Sequence, residues 1–524
     1  MPENTRYDVT DESTLQDIIG AGANHAFGTY LQTSSATMEP VYVAHELFAF
    51  ILEERGNLDE EFYKFAYKPN RVSCSELDTE LINLFEPEST RTNSKIDSKR
   101  RAMYDVAHAD TGFYVGAGFP KGPTVTSEWL LTEVDMFREV ARYIYTLLVE
   151  NDAPIGAIGQ ELRRTTDAIS HIFKPVLDSD ASVTLRDSRT GFTPETYRDD
   201  EYGPKTDDIF ASEKISQNLA DGMERLITHL KPENGQTLAP RDLTMIVRFG
   251  ILAFFLFAIN RANELSNQSR DVFFPLFLNY TGTTTSEAAA LSNECLSRAE
   301  NELIRAMEKG VTSALHESDA NAYQQFAQSD NQEILEVMLN SGPFGIDDDN
   351  EDLINHKRTL IKNMYSTSDK SSNLECLAYA ISKTIHMKTF DYYVPEKSLI
   401  DLGKYSGFVQ PWKGVKRPQL YFAFDRPLLE AVVLSVLPTE GSRRLTLPDL
   451  CDRLRKRYGI LVSGADELAL QDHLGAWNIS YSDVGVGPLS QLGQNYDAVE
   501  SELESLGLAT KYADRVTIVS TNEY

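Results

Sequence analysis

Apolar residues recur along this chain mostly at three- and four-residue spacing, the period of a helix with one buried face. One stretch breaks that pattern. Met245 to Ile259, reading MIVRFGILAFFLFAI, is apolar on every side, with Arg248 its sole charged residue. Arg241 and Asp242 precede it; Asn260 and Arg261 follow it. From Phe249 the uninterrupted run ends at Ile259, too short to span a bilayer. A helix apolar all round predicts a central core element with neighbours packed on every face.

Upstream, Val43, Leu47, Phe50 and Ile51 share one helical face. Trp129, Leu130, Val134, Phe137, Val140, Ala141, Ile144 and Leu148 form a broader stripe. Ile158, Leu162, Ile169 and Ile172 mark another helix, with Pro154 near its start. Residues 86–100 are polar and residues 176–207 lose all periodicity, so both read as loops. Helix resumes with Ile215, Leu219, Met223, Leu226, Ile227 and Leu230 in line. After the central helix, DVFFPLFLNYTG predicts a short buried strand ended by Gly282. Thr283 to Ser286 then lead into a long helix to about Lys309, with Thr284 and Glu287 as a capping box. Leu374, Leu377, Ala378, Ile381 and Ile385 form a further stripe.

From Leu420 the pattern changes. Pro427 opens a helix carrying Leu428, Leu429, Val432, Val433, Val436 and Leu437, and Pro438 ends it. Arg443 to Leu447 reads as a short strand. Pro448 opens a second helix with Leu450, Cys451, Leu454 and Tyr458 on one face and Gly459 as its stop. A third helix runs from about Asn495, with Tyr496, Val499, Leu503 and Leu506 in register and Gly507 at its end. Two strands, Leu508–Tyr512 and Arg515–Ser520, close the chain around Ala513 and Asp514. Helix, strand, helix, helix and two-stranded wing is the order of a winged helix-turn-helix. Residues 460–494, rich in Gly and Ser, form a long insertion between the second and third helices.

The fold class these elements predict is mainly α: a multi-helix body around a buried central helix, with a C-terminal winged helix-turn-helix domain. Residues 1–14 read as a disordered tail. An N-terminal helical domain spans 15–175 and the loop or linker 176–207. A central helical domain spans 208–340, a helical connector with a basic segment 341–419, and the winged-helix domain 420–524. Length alone suggests about two to four domains.

Charge adds a constraint. The net charge of −29 fits an acidic surface organising hydrated cations, as in a halophilic, high-salt cytoplasm, or an ordinary acidic protein kept soluble by self-repulsion. Cys74, Cys295, Cys376 and Cys451 lie far apart with no CxxC, so they predict free thiols in a reducing compartment. The polar, acidic N-terminus is not a signal peptide, and the expected location is cytoplasmic, with no membrane partner.

Candidate chemistry is sparse. His45-Glu46 is not followed by the second His of HExxH, so it predicts no metal site. Gly116, Gly118 and Gly122 around Lys121 precede a helix but match neither phosphate-loop spacing, and read as a turn-rich linker. The hydroxyls at Thr283 to Ser286 could bind an anion at the helix start, although capping alone accounts for them. Asp347, Asp349 and Glu351 alternate as calcium ligands would, but the loop lacks the central Gly and the bidentate Glu of an EF-hand. No spacing selects a catalytic residue, a metal ligand or a cofactor.

Positive charge is local. Arg443 and Arg444 precede Arg453, Arg455, Lys456 and Arg457 on the second helix of the C-terminal region. Upstream, Lys383, Lys388, Lys397, Lys404, Lys413, Lys416 and Arg417 face only Asp391, Glu396 and Asp401, a net of +4, with Tyr392, Tyr393, Tyr405 and Trp412 interleaved. Such a region predicts nucleic-acid contact through the phosphate backbone of DNA, or pairing with acids elsewhere on the chain. The third helix carries Asp497, Glu500, Glu502 and Glu504 and no Lys or Arg. Those carboxylates argue against the usual insertion of that helix into a major groove and leave docking to a basic partner open.

YFAFDRPLLEAVVLSVLP, LPDLCDRLRKRYGILV and LESLGLATKYADRVTIVSTNEY resemble the C-terminal end of accessory proteins of prokaryotic anti-phage defence operons linked to DNA modification, of the phosphorothioate-dependent restriction kind. LFLNYTGTTTSEAAALSNECLSRA resembles such proteins too. The resemblance implies a subunit of a complex with an ATPase or nuclease partner, and it carries over no active-site residue. The expected function is a non-enzymatic scaffold that contacts DNA within a defence complex. A winged-helix transcriptional regulator and a protein–protein adaptor without DNA binding are the alternatives.

Overall fold

The computed structural model describes residues 15–28, 138–150, 214–230, 240–266, 270–317, 351–385, 395–411, 419–441, 443–462, 466–479, 491–513 and 516–521, with single positions between 40 and 47. The described residues are mainly helical. Several expected features lie outside them: the glycine-rich loop at 116–122, the helix carrying Ile158, the loops at 86–100 and 176–207, His45-Glu46, and Asp347 and Asp349.

Helices α1 (Leu15–Phe27), α2 (Arg138–Glu150) and α3 (Lys214–Leu230) precede the central helix α4 (Pro240–Glu264). Strand β1 (Leu276–Phe277) follows, then the long helix α5 (Glu287–His316). Next come α6 (Glu351–Ser366), α7 (Asn373–Ile385), α8 (Pro395–Ser406) and strands β2 (Val409–Gln410) and β3 (Tyr421–Phe422). The C-terminal region contains α9 (Arg426–Leu434), β4 (Arg444–Thr446), α10 (Leu447–Tyr458), β5 (Ile460–Leu461), α11 (Glu467–Ala476), α12 (Gln491–Ser505), β6 (Ala509–Lys511) and β7 (Thr517–Ser520).

α4 is buried from Met245 to Ile259 without a break, because α1, α2, α3, α5, α8 and α9 all pack against it. Aromatic rings fix these contacts: Phe257 meets Tyr143 of α2 at 4.9 Å, Phe255 meets Phe408 at 5.0 Å, and Phe249 meets Tyr458 of α10 at 6.1 Å. At 25 residues α4 is long and apolar enough to cross a membrane, contrary to the length argument from the uninterrupted run. What makes it a core helix is burial, since 94% of its most apolar window lies inside the protein.

The other long helix, α5, crosses α1 at two glycines. A Cβ on Gly310 would lie 2.0 Å from the Gly22 carbonyl oxygen, so the two backbones touch there. The cap of α5 is Ser286, whose Oγ accepts from the Ala289 N–H at 3.0 Å. The expected Thr284 box is therefore displaced by two residues, because the chain enters the helix later than the hydroxyl run begins.

Polar side chains clip the short strands to the helices. Ser292 of α5 donates to the Phe277 carbonyl at 2.6 Å and accepts from the Phe422 N–H at 2.8 Å, bridging β1 and β3. Asn260 of α4 accepts from the Phe274 N–H at 2.7 Å. β1 pairs in parallel with β5, Leu276 opposite Ile460 and Phe277 opposite Leu461. Gly459 makes that pairing feasible: it ends α10 with φ 71°, and a Cβ there would sit 2.3 Å from the Phe274 carbonyl oxygen. The region expected to be a Gly- and Ser-rich insertion thus contributes β5 and α11 to the body.

His473 of α11 is buried, and its Nε2 lies 2.8 Å from the Phe273 carbonyl oxygen, which can only accept. Nε2 therefore carries the proton, and Nδ1, buried with no partner among the described residues, does not. Burial pushes the imidazole down to about 4. The unfolded ring titrates near 6.5, so between those values the unfolded chain binds the extra proton and stability falls as pH falls. A shift of this size corresponds to about 3 kcal/mol lost between pH 7 and pH 4. Urea unfolding of wild type and His473→Gln across that range measures the difference, and parallel profiles would remove His473 as its source.

Candidate nucleic-acid interface

The last seven elements bring the expected basic residues onto α10 and the chain entering it. α10 starts at Thr446, whose Oγ1 accepts from the Asp449 N–H at 3.2 Å, and its buried face is Leu447, Leu450, Cys451, Leu454 and Tyr458. The residues between these, Arg453, Arg455, Lys456 and Arg457, consequently point away from that face. β7 lies between β4 and β6, with β4 at an edge of the three-stranded sheet. Arg444 is exposed on that edge. Arg443 sits in the preceding turn at φ 43°, its Nε donating to the Thr439 carbonyl at 3.1 Å.

The positive charges divide into two sets. Arg455 and Lys456 share Asp452, at 2.6 and 2.7 Å, and those contacts hold its carboxyl below the ordinary range against the opposing effect of burial. That set is half neutralised within α10, two cations sharing one carboxylate. Arg453 and Arg457, one turn apart, instead face α3. There the Asn218 Nδ2 donates to the Arg457 carbonyl at 3.0 Å and pins the two helices together. Arg225 lies in the same place: burial lowers its guanidinium below the ordinary value, and the Arg457 and Arg453 charges lower it further, while Asp221 acts the other way.

Among the described residues neither Arg225 nor Arg457 has an ion-pair partner, and Nη1 of Arg457 is buried with no acceptor. Arg453 donates from Nη1 to the Val436 carbonyl at 3.2 Å. His229, one turn beyond Arg225, has its pKa lowered chiefly by burial and further by Arg443 and Arg225, against the Leu437 carbonyl. Four guanidiniums and an imidazole therefore converge where α3, α10 and the turn before β4 meet.

Arg225 and His229 were not legible as site residues. They sit on an ordinary amphipathic helix, and only packing sets that helix beside α10. The upstream basic segment contributes less. Lys404 pairs with Asp401 at 2.6 Å, and Lys383 lies 5.9 Å from the Tyr379 ring centroid. Lys388, Lys413, Lys416, Arg417, Tyr392, Tyr393 and Trp412 lie outside the described residues, and Lys397 is helical with its side chain not described.

The helix expected as the third of this region, α12, is its fourth because α11 precedes it, and it is tied down on two sides. Asn495 is fully buried; its Nδ2 donates to the Leu278 carbonyl at 2.9 Å and its Oδ1 accepts from the Tyr280 N–H at 2.5 Å. Glu500 accepts from Lys511 and Thr517 of the β6–β7 hairpin, and Glu502 pairs with Arg426 at 2.7 Å. Asp497 and Glu504 remain exposed. Of the hydroxyl run before α5, Ser286 is engaged with Thr281, which also bonds Asn279, at 2.8 Å each, while Thr283, Thr284 and Thr285 are exposed.

Among the described residues no group of three His, Cys, Asp or Glu side chains gathers as a metal site. Cys295, Cys376 and Cys451 are free, and burial pushes the thiols of Cys295 and Cys451 up to about 12, which leaves them protonated and unreactive. Compared with known proteins, the chain matches no family model, no curated protein and no solved structure.

Proposed function

We propose that this chain is a non-enzymatic scaffold subunit of a nucleic-acid-directed complex, of the prokaryotic defence kind its C-terminal sequence resembles, and that it holds DNA by the phosphate backbone without reading bases. The observation that carries the reading is the convergence of Arg225, Arg443, Arg453 and Arg457 on one surface of a chain with net charge −29. Grouping like charges costs free energy, and a polyanion is the ligand that offsets it.

The winged-helix reading of residues 420–524 belongs to the same proposal. It is supported by the order α9, β4, α10, α12 and the β6–β7 hairpin, with β5 and α11 inserted between α10 and α12, and by β7 lying between β4 and β6. In this module α12 is not the reading element. Its buried side holds the Leu278 and Tyr280 backbone, and its exposed side carries carboxylates that phosphates repel. That arrangement disfavours a sequence-specific regulator.

Fluorescence anisotropy with a duplex of arbitrary sequence across a KCl series tests the proposal. Log affinity is expected to fall linearly with log salt, at about −0.9 per phosphate contact. Changing Arg453 and Arg457 to Gln is expected to flatten the slope by about two contacts' worth. Changing Arg455 and Lys456 to Gln is expected to flatten it less, because Asp452 already holds both. No binding at any salt concentration that leaves the protein folded would sink the DNA reading and favour the protein adaptor.

A further inference from the structure

A strand of duplex DNA presents phosphodiesters, each with one charge, spaced along a surface. The α3–α10 cluster is not spread in that way. Arg225, Arg453 and Arg457 act on one another from adjacent turns of two helices in contact, with His229 and Arg443 at one side. Asp221 is one carboxylate against this group. Arg455 and Lys456 are withdrawn from it by Asp452. Within it Arg457 holds Nη1 out of water with no acceptor among the described residues. A buried guanidinium N–H is costly without an acceptor, and the one carboxylate acting here, Asp221, stands against several guanidiniums.

We propose that this cluster is a discrete binding site for a phosphate monoester, the terminal group of a nucleotide or of a 5′-phosphorylated nucleic-acid end. Such a group carries close to two charges and three terminal oxygens, so several guanidiniums can share it through paired N–H···O bonds. A phosphodiester offers one charge and two free oxygens, and matches the concentrated charge less well. The proposal deepens the nucleic-acid reading by naming the group the cluster prefers, but it does not need duplex binding to hold.

The test compares three probes on the full chain: inorganic phosphate, a 5′-phosphorylated duplex and the same duplex with 5′-hydroxyl ends. Calorimetry at low ionic strength is expected to detect inorganic phosphate binding, which Arg457→Gln and Arg225→Gln each weaken about tenfold or more. Arg225→Lys keeps the charge and loses the fork, and is expected to fall between wild type and Arg225→Gln. Thermal melts without ligand check that each variant is folded. The phosphorylated duplex is expected to bind more tightly than the hydroxyl-ended one, and free phosphate to compete away the difference. Equal binding of both duplexes with no phosphate binding overturns this proposal and leaves the backbone reading intact. Phosphate binding lost in the Arg variants, with no duplex binding at all, supports this site as one for a free phosphate monoester and removes the backbone reading. Phosphate binding that survives Arg225→Gln and Arg457→Gln overturns the assignment to this cluster.

Discussion

Asp425→Ala is expected to lower the unfolding free energy by about 3–5 kcal/mol, the range for stripping one partner from a buried ion pair. Arg248 enters the core on α4 with a side chain that is 0% exposed, and its Nη1 donates to both Asp425 oxygens at 2.7 and 2.6 Å. Asp425 also caps α9, accepting from the Leu428 N–H at 3.2 Å, and its own N–H donates to the Gly407 carbonyl at 2.8 Å. Three segments therefore meet on one residue. Burial outweighs attraction at both ends of the pair: it raises the Asp425 carboxyl and brings the Arg248 guanidinium down to about 10. The pair as a whole thus contributes little, and the cost appears only when one half remains.

That asymmetry gives the experiment its shape. Arg248→Met is expected to cost less than Asp425→Ala, because the partly exposed Asp425 can regain water while a fully buried Arg248 cannot. The double variant Arg248→Met/Asp425→Ala is expected to be more stable than Asp425→Ala alone. Equilibrium unfolding in urea of all three variants measures this as a double-mutant cycle. Additive losses would mean that the two residues act independently and that the cap alone accounts for Asp425.

The second large effect is expected at Asn495. Asn495→Leu leaves the Leu278 carbonyl and the Tyr280 N–H without the partners they now have, at about 1–3 kcal/mol for each buried group. Asn495→Asp is the sharper probe. It keeps the acceptor for Tyr280 but sets a carboxylate oxygen against the Leu278 carbonyl, so it is expected to be at least as destabilising as the leucine. Urea unfolding measures the loss, and hydrogen exchange across residues 491–505 reports whether α12 loosens first. If exchange in α12 stays as slow as in α4, the helix is held by its apolar face and Asn495 is not its anchor.

Both residues illustrate a limit of reading this chain one segment at a time. Asn495 sits 217 residues from Leu278 and Asp425 sits 177 residues from Arg248. Within its own segment Asn495 is a polar residue one place before an apolar stripe. Arg248 is a charge out of place in an apolar run, a visible anomaly whose partner is invisible. Arg225 belongs to the same class, since its helix meets α10 through the contact of Asn218 with the Arg457 carbonyl, 239 residues apart.

Local chemistry was sufficient wherever an element's pattern and its stop signals agree. α4 was legible because a run apolar on all sides has no solvent face to offer. α10 was legible from Pro448 inside its first turn and Gly459 at its end, the latter now at φ 71° as its C-cap. β4, β6 and β7 were legible from short alternating runs and from Gly507, which sits at φ 74° after α12. β5 and α11 were missed because the Gly and Ser scattered through residues 460–494 made the whole stretch read as an insertion, and a two-residue strand such as β5 leaves no periodicity to detect.

The sequence by itself therefore determined the helical class of the body, its most buried helix, the stops of the C-terminal elements and the excess of positive charge on α10. Those properties depend on neighbours within one or two turns. The tertiary structure alone decided which charges are spent and which converge. It gave Asp452 to Arg455 and Lys456, left Arg225 beside Arg457, and turned Asn495 of α12 inward onto the Leu278 carbonyl. Electrostatic and hydrogen-bond partners act through space over a few ångströms, and a linear pattern carries no measure of that distance.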